Sequence, residues 1–242
     1  MIEIRSTRAE DAPSVVDVQR RAFRDSPDMK IWREEDVRRH VEVYPEGQFV
    51  AVDAAKGGIV VGSCTTMRVS SKVALAPHSW REVTGGSGLA NHDPQGDVLY
   101  GVDVSVRPAY RSRGVGRRLY EARLALLAAT DCEAFVAGGR IPNYVHFAPF
   151  MPPEEYVRLV KLKLIRDPVL GFQLSNGMEV KGLLPDYLPD ERSLNYATLI
   201  HLPNPRKHPP ATGRAGATVL PLPGALAGAA GAASALRIVG EG

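Results

Sequence analysis

The sequence predicts an α/β fold (α+β by connectivity), and three observations carry that expectation. Short runs with apolar residues at period two alternate along the chain with runs at helical spacing. One unit, Val102 to Tyr120, reads as a buried strand, a turn rich in arginine and glycine, and the start of a helix. The 242 residues are 44% hydrophobic, enough for the core of one large domain or of one domain with an extension.

Residues 2–5 read as a first strand. Glu10-Asp11-Ala12-Pro13 looks like a helix start with proline near its first position, and Val15, Val16, Val18, Ala22 and Phe23 give that helix an apolar face. Ile31 to Tyr44 reads as a second, charge-dense helix. Gln48–Asp53 and Ile59–Val69 make two strands around Ala54–Gly58, a hairpin turn. Residues 76–97, rich in Gly, Pro, Asn, Asp and His, read as a long loop of the kind that is often functional. The strand–turn–helix unit follows, with valines at 102, 104 and 106, and then a strand over Glu133–Ala137. Pro152-Pro153-Glu154-Glu155-Tyr156 opens another helix whose glutamates suit its N-terminal dipole. Val169–Leu174 reads as a strand, Asn176-Gly177 as a turn, Glu179–Leu184 as a short strand and Leu194–Leu202 as the last strand. From 203 to 242 the chain is dominated by Pro, Ala and Gly, and we expect a disordered tail, because so little bulky apolar surface cannot offset ordering entropy. The domain is therefore expected to span 1–202.

Composition narrows the function classes. A net charge of +3 gives no case for nucleic acid. No apolar run reaches the ~18 residues of a spanning helix, and the N-terminus enters a strand without a secretory apolar region. A cytoplasmic protein with no membrane partner is expected. Cys64 and Cys132 are too few for a disulfide framework or a zinc site, the histidines show no ligand spacing, and no metal is expected. The sequence leaves the oligomeric state open, a homodimer included.

The chemistry is concentrated in the turn. Arg111-Ser112-Arg113-Gly114-Val115-Gly116-Arg117 places backbone amides with little side-chain obstruction at the first turn of a helix. Those amides lack intrahelical partners and the dipole makes that end positive, so the site suits phosphate or pyrophosphate. Arg111, Arg113, Arg117 and Arg118 add cations for a polyanion. A dinucleotide fingerprint would need a third glycine where Leu119 stands.

Val106-Arg107-Pro108 followed by Arg111-x-x-Gly114-x-Gly116 resembles the signature of the GNAT superfamily, the GCN5-related N-acetyltransferases. The resemblance covers residues 1–202. It implies a GNAT fold: a mixed central sheet of about seven strands flanked by about four helices and splayed at the signature strand. Gly138 to Tyr144, Met151 to Val157, Phe172 to Gly177 and the loop Asn91 to Asp97 are similar to the subgroup whose acetyltransferase domain is fused to a nitrilase-type carbon–nitrogen hydrolase. With only the tail after Leu202, a standalone domain is expected.

What the resemblance implies is transfer of an acetyl group from acetyl-CoA to a primary amine, on a small molecule or a protein, by direct attack. Pantetheine would pair with the main chain of Val104 to Val106, and the pyrophosphate would rest on Arg111, Ser112, Arg113, Gly114, Val115, Gly116 and Arg117. Asn143 would bond the pantetheine amide. Proton transfer is less legible. Relatives carry glutamate where this chain has Tyr100 or Gly138, and a tyrosine donor where it has Phe150. Asp103 is the only carboxylate within Tyr100–Val106, and its side chain is expected to point opposite to Val102 and Val104. It is either a general base or a structural carboxylate bonded to nearby donors. Tyr144 and His92 are the other candidates for proton traffic. A non-enzymatic acyl-CoA-binding module is the alternative reading.

Overall fold

The computed structural model describes residues 1–24, 26 and 28–209. Its strands are β1 Ile2–Ser6, β2 Gln48–Asp53, β3 Ile59–Val69, β4 Val98–Val106, β5 Ala134–Arg140, β6 Glu179–Leu184 and β7 Ala197–Pro203. They form one seven-stranded sheet in the order β1-β2-β3-β4-β5-β7-β6. Every pairing is antiparallel except β4 with β5, which is parallel. The mixed sheet matches the expectation. The helices are more numerous than expected: α1 Ala12–Ala22, α2 Glu34–Val43, α3 Ser71–Ala74, α4 Trp80–Thr84, α5 Val115–Ala129, α6 Pro153–Lys161 and α7 Leu170–Ser175.

Two apolar layers sandwich the sheet. On one face α1, α2 and α4 contribute Val15, Val18, Val37 and Val83 over Val50, Met67, Tyr100 and Val136. On the other, α5 lays Val115, Leu119, Leu126 and Leu127 over Phe49, Cys64, Leu99 and Phe135. A third cluster gathers Ile141, Tyr144, Tyr156, Val157, Val160 and Leu170 around α6 and α7. Among the described residues no helix is long and apolar enough to cross a membrane.

Three expectations need correction. Val169–Leu174 forms no strand. Asp167 Oδ1 accepts the amides of Val169 and Leu170 at 2.9 and 2.8 Å, and this cap starts α7 instead. The loop expected over 76–97 contains α4, opened by a capping box between Ser79 and Glu82 that was legible in Ser-x-x-Glu. Ordered packing also runs past 202. β7 ends at Pro203, and the buried Asn204 donates its side-chain amide to the carbonyls of Leu127 and Cys132 at 2.9 and 2.8 Å. The rest of the expected tail, from 210 onward, lies outside the described residues.

Candidate active site

β4 and β5 separate halfway along. Their pairing holds from Val98 with Ala134 to Gly101 with Ala137 and then stops, although β4 continues to Val106 and β5 to Arg140. A bulge sits at the point of separation: Thr65 faces Asp103 and Thr66 faces Gly101, so Val102 is the extra residue. The bulge breaks the alternation expected for this strand at Val102, while Asp103 still opposes Val104. Val102 packs in the layer beneath α1 and Val104 against the α5 layer. Asp103 hydrogen-bonds toward Gln19 of α1, so it shares the Val102 face instead of opposing it.

Two side chains hold the bulge open. Trp80 Nε1 donates to the Val102 carbonyl at 3.2 Å. Arg123, only 1% exposed, donates Nη2 to the carbonyls of Thr65 (3.0 Å) and Asp103 (2.8 Å) and Nε to Thr66 Oγ1 (2.9 Å). Its guanidinium lies 5.1 Å from the ring centroids of Tyr120 and Phe135. Sequence reasoning missed Arg123. The signal was a charge at a core position, four residues after Leu119 and four before Leu127 on the apolar face of α5.

The wedge opens into a cavity of about 550 Å³. Val102 to Val104 form one wall and Gly138 to Arg140 the other, with Trp80, Phe172 and Tyr187 closing the ends. Arg140 contributes a cation whose Nη1 lies 3.1 Å from the buried Asp190 Oδ2. Asp103 contributes a carboxylate. Burial raises its pKa, opposed by hydrogen bonds from Ser105 and Gln19 and by the charges of Arg123 and Arg140. Ser105 Oγ donates to Asp103 Oδ2 at 2.8 Å.

At the far end of β4 lies the turn read as a phosphate cradle. Ser112 and Gly114 both have positive φ, 59° and 77°. Gly114 is the N-cap of α5, and a Cβ built on it would meet nothing within 4 Å, so the backbone there faces open space. The amides of Val115, Gly116 and Arg117 precede the first helical bond, which Arg118 N–H makes to the Gly114 carbonyl at 3.0 Å. These residues fit a diphosphate. The expected ring of guanidiniums is thinner than the sequence suggested. Arg111 Nη2 donates to the Ala22 carbonyl at 2.7 Å, Arg117 pairs with Glu121, and Arg118 donates to the Ile2 carbonyl. Arg113 lies over the Tyr110 ring.

Three expected residues sit elsewhere. Tyr144 is buried in the third cluster, and its hydroxyl donates to the Met151 carbonyl at 3.3 Å, away from the cavity lining. His92 stacks on Tyr44, and its Nδ1 accepts from the Arg68 amide at 3.2 Å, also outside the lining. Asn143 donates its side-chain amide to the Arg166 carbonyl at 2.9 Å, which ties the β5 exit to the segment before α7 and leaves it off the lining.

In their place the fold brings together Tyr100, Tyr187 and His78. The hydroxyls of Tyr100 and Tyr187 are 2.9 Å apart, and Tyr100 Oη is 2.8 Å from His78 Nε2. The Tyr187 ring occupies the space beside Gly138: a Cβ built there would lie 2.2 Å from Tyr187 Cζ. Of the two positions where the resemblance implies glutamate, Tyr100 thus presents a phenol and Gly138 is covered by the ring of another, Tyr187. Tyr187 lies in the segment between β6 and β7, where nothing in its local sequence signals a site.

Comparison with known proteins agrees with this geometry. A model of the acetyltransferase (GNAT) family matches residues 12–145. The uncharacterized N-acetyltransferase YkwB of Bacillus subtilis is 32% identical over 84% of this chain and 89% of its own length. The probable hydrolase YhcX of the same organism is 39% identical over 83% of this chain, which spans only 38% of that relative. Among solved structures, GphF, a GNAT-like decarboxylase in complex with isobutyryl-CoA, superposes with a TM-score of 0.72 at 27% identity, covering 84% of this chain and 99% of its own.

Proposed function

The chain belongs to the acetyltransferase (GNAT) family, and we propose that it is an acetyl-CoA-dependent N-acetyltransferase that moves the acetyl group to a primary amine by direct attack. The observation that carries this reading is the β4–β5 split running beside an open helix N-terminus. A diphosphate fits the Ser112–Arg117 turn, and a pantetheine arm fits the free edge of Val104 to Val106. Acetyl-CoA would supply an activated thioester at the bulge. The chain's own part is to hold that edge open through Arg123 and Trp80, to exclude water with the apolar cavity walls, and to orient the acceptor. Asp103 is the carboxylate on the wall that would receive the acceptor's ammonium.

The kinship with a larger relative named a probable hydrolase supports the resemblance to the acetyltransferase part of nitrilase-type fusions. No hydrolase activity is carried over, since Cys64 and Cys132 are both buried and neither lines the cavity.

Calorimetry of the full chain with acetyl-CoA, CoA, ATP and NAD, followed by thiol release with a panel of amines, tests the reading. Binding of acetyl-CoA with amine-dependent thiol release is expected. Binding without turnover over a broad panel would favour the acyl-CoA-binding module, which the absence of glutamate at Tyr100 and Gly138 keeps in view. Acyl-CoA thioesters with branched or carboxylated acyl groups belong in the panel, because a GNAT-like decarboxylase shares the fold. Affinity for ATP or NAD without preference for CoA would overturn the assignment.

A further inference from the structure

The acceptor ammonium must lose two protons on its way to the amide, and the cavity lacks a glutamate at Tyr100 or Gly138, where the resemblance implies one, to take the first. The hydrogen bonds of the phenol pair and its histidine have one consistent direction. His78 Nδ1 lies 2.7 Å from the Ala76 carbonyl, which can only accept, so Nδ1 carries the ring proton and Nε2 is the acceptor. Tyr100 therefore donates to Nε2, and Tyr187 donates to Tyr100. The Gly138 backbone amide also donates toward the Tyr187 oxygen, and Tyr187 lines the cavity, so its remaining lone pair is the one that can receive a proton there.

We propose that Tyr187, Tyr100 and His78 form a proton relay that carries a proton from the acceptor amine in the cavity to His78, in place of the missing glutamate. The proposal rests on the acetyltransferase reading. A proton passes from the ammonium to Tyr187, the Tyr187 proton to Tyr100, and the Tyr100 proton to His78 Nε2. Each phenol gains one proton and gives one, and His78 becomes imidazolium. The freed amine then forms the C–N bond to the thioester carbon, the C–S bond breaks, and the second amine proton leaves on sulfur as the CoA thiol. His78 lies in the segment between α3 and α4 and retains 8% exposure. Tyr187 would be the catalytic residue, while Tyr100 and His78 act through it as positioning residues.

Burial lowers the His78 pKa, opposed by the Ala76 carbonyl and the Glu82 charge on α4, so the ring is a neutral acceptor near pH 7. Tyr100 on β4 and Tyr187 face the same ring, and burial keeps both phenols un-ionised. A neutral chain can pass protons without a phenolate forming.

Two probe amines separate proton removal from attack: 2-phenylethylamine, an ammonium at neutral pH, and phenylhydrazine, largely unprotonated there. Tyr187→Phe, Tyr100→Phe and His78→Gln should each slow kcat with 2-phenylethylamine about 100-fold, and leave phenylhydrazine turnover and acetyl-CoA affinity near wild type. The acid limb of the kcat/KM profile should vanish in His78→Gln. Equal slowing of both amines, or no slowing, would overturn the relay while the acetyltransferase reading stands. Loss of acetyl-CoA binding by the wild-type chain would overturn that reading first. A further arm needs no acceptor: ¹⁵N NMR of the full chain should show His78 as the Nδ1–H tautomer, with its Nε2 shift moving in Tyr100→Phe. An Nε2–H tautomer would overturn the relay whatever the kinetics.

Discussion

The ring of Tyr187 stands where a side chain on Gly138 would begin, its Cζ 2.2 Å from the Cβ that any other residue would place there. The glycine and the tyrosine are therefore one feature of the site. Gly138→Ala should destabilise the chain by about 1–3 kcal/mol, since overpacking a filled wall forces the ring to move. In a Tyr187→Ala background the same change should cost much less. A double-mutant cycle on thermal unfolding reads the coupling, and additive losses would show that the two do not share the space.

At the other end of β4, Gly114→Glu should abolish CoA binding, because a carboxylate would enter the anion cradle at the α5 N-terminus. The φ of 77° there also strains any side chain, by about 1 kcal/mol or more. Gly114→Ala carries that strain without the charge. Calorimetry should find Gly114→Ala weakened and Gly114→Glu silent; equal affinities would place the diphosphate elsewhere.

Asn204 is fully buried and donates its side-chain amide to three carbonyls, Leu127, Thr130 and Cys132, at the end of α5 and the approach to β5. Asn204→Ala would take the side-chain donor from the Cys132 carbonyl, at about 1–3 kcal/mol, while the Leu127 carbonyl keeps its bond from Thr130 Oγ1. A chain ending at 203 should melt several degrees below one ending at 209. Matching melting temperatures would make the segment dispensable.

These residues also mark how far the sequence could be followed. The split of the sheet is what the family resemblance implied, while the signature turn and the seven strands follow from period, proline and glycine, all local signals, with β6 at its observed bounds and β5 and β7 displaced at their ends. The bulge at Val102 does not, because it depends on Arg123 and Trp80 reaching carbonyls from distant elements, and one extra residue put Val102 on the same face as Asp103, which opposes Val104 as expected. The helix at Leu170–Ser175 was hidden in an apolar run whose period cannot separate strand from helix, and the deciding cap, Asp167, lies just upstream. Tyr187 is a product of long-range packing and leaves no local trace.

Four histidines, His40, His78, His92 and His201, are held below the ordinary imidazole value, in each case chiefly by burial. A lowered folded pKa means the unfolded chain takes up the proton first. The stabilisation is fully present above the unfolded value of about 6.5 and is lost as pH falls through the folded values. The melting temperature should drop between about pH 7.5 and pH 5.5. His40→Gln, which removes the most buried of the four rings, should flatten that drop even though it lowers stability at the upper pH. An unchanged slope would mean that His40 titrates normally in the folded chain.

Asp103 shifts the other way. Burial raises its carboxyl above the usual range, so the folded chain holds this proton longer than the unfolded one. The contribution is therefore most favourable below the unfolded value of about 3.9 and is lost as pH rises through the folded value. Asp103→Asn keeps an oxygen to accept from Ser105 and has no charge to desolvate. Its melting temperature relative to wild type should climb from acid to neutral pH. If Asp103 docks the acceptor's ammonium, the same variant should raise KM for 2-phenylethylamine about tenfold, a cost of the size of one charge-assisted hydrogen bond, with phenylhydrazine and acetyl-CoA affinity little changed. A melting difference that is flat with pH would place the carboxylate in a solvated setting, and an unaltered KM would remove it from acceptor binding.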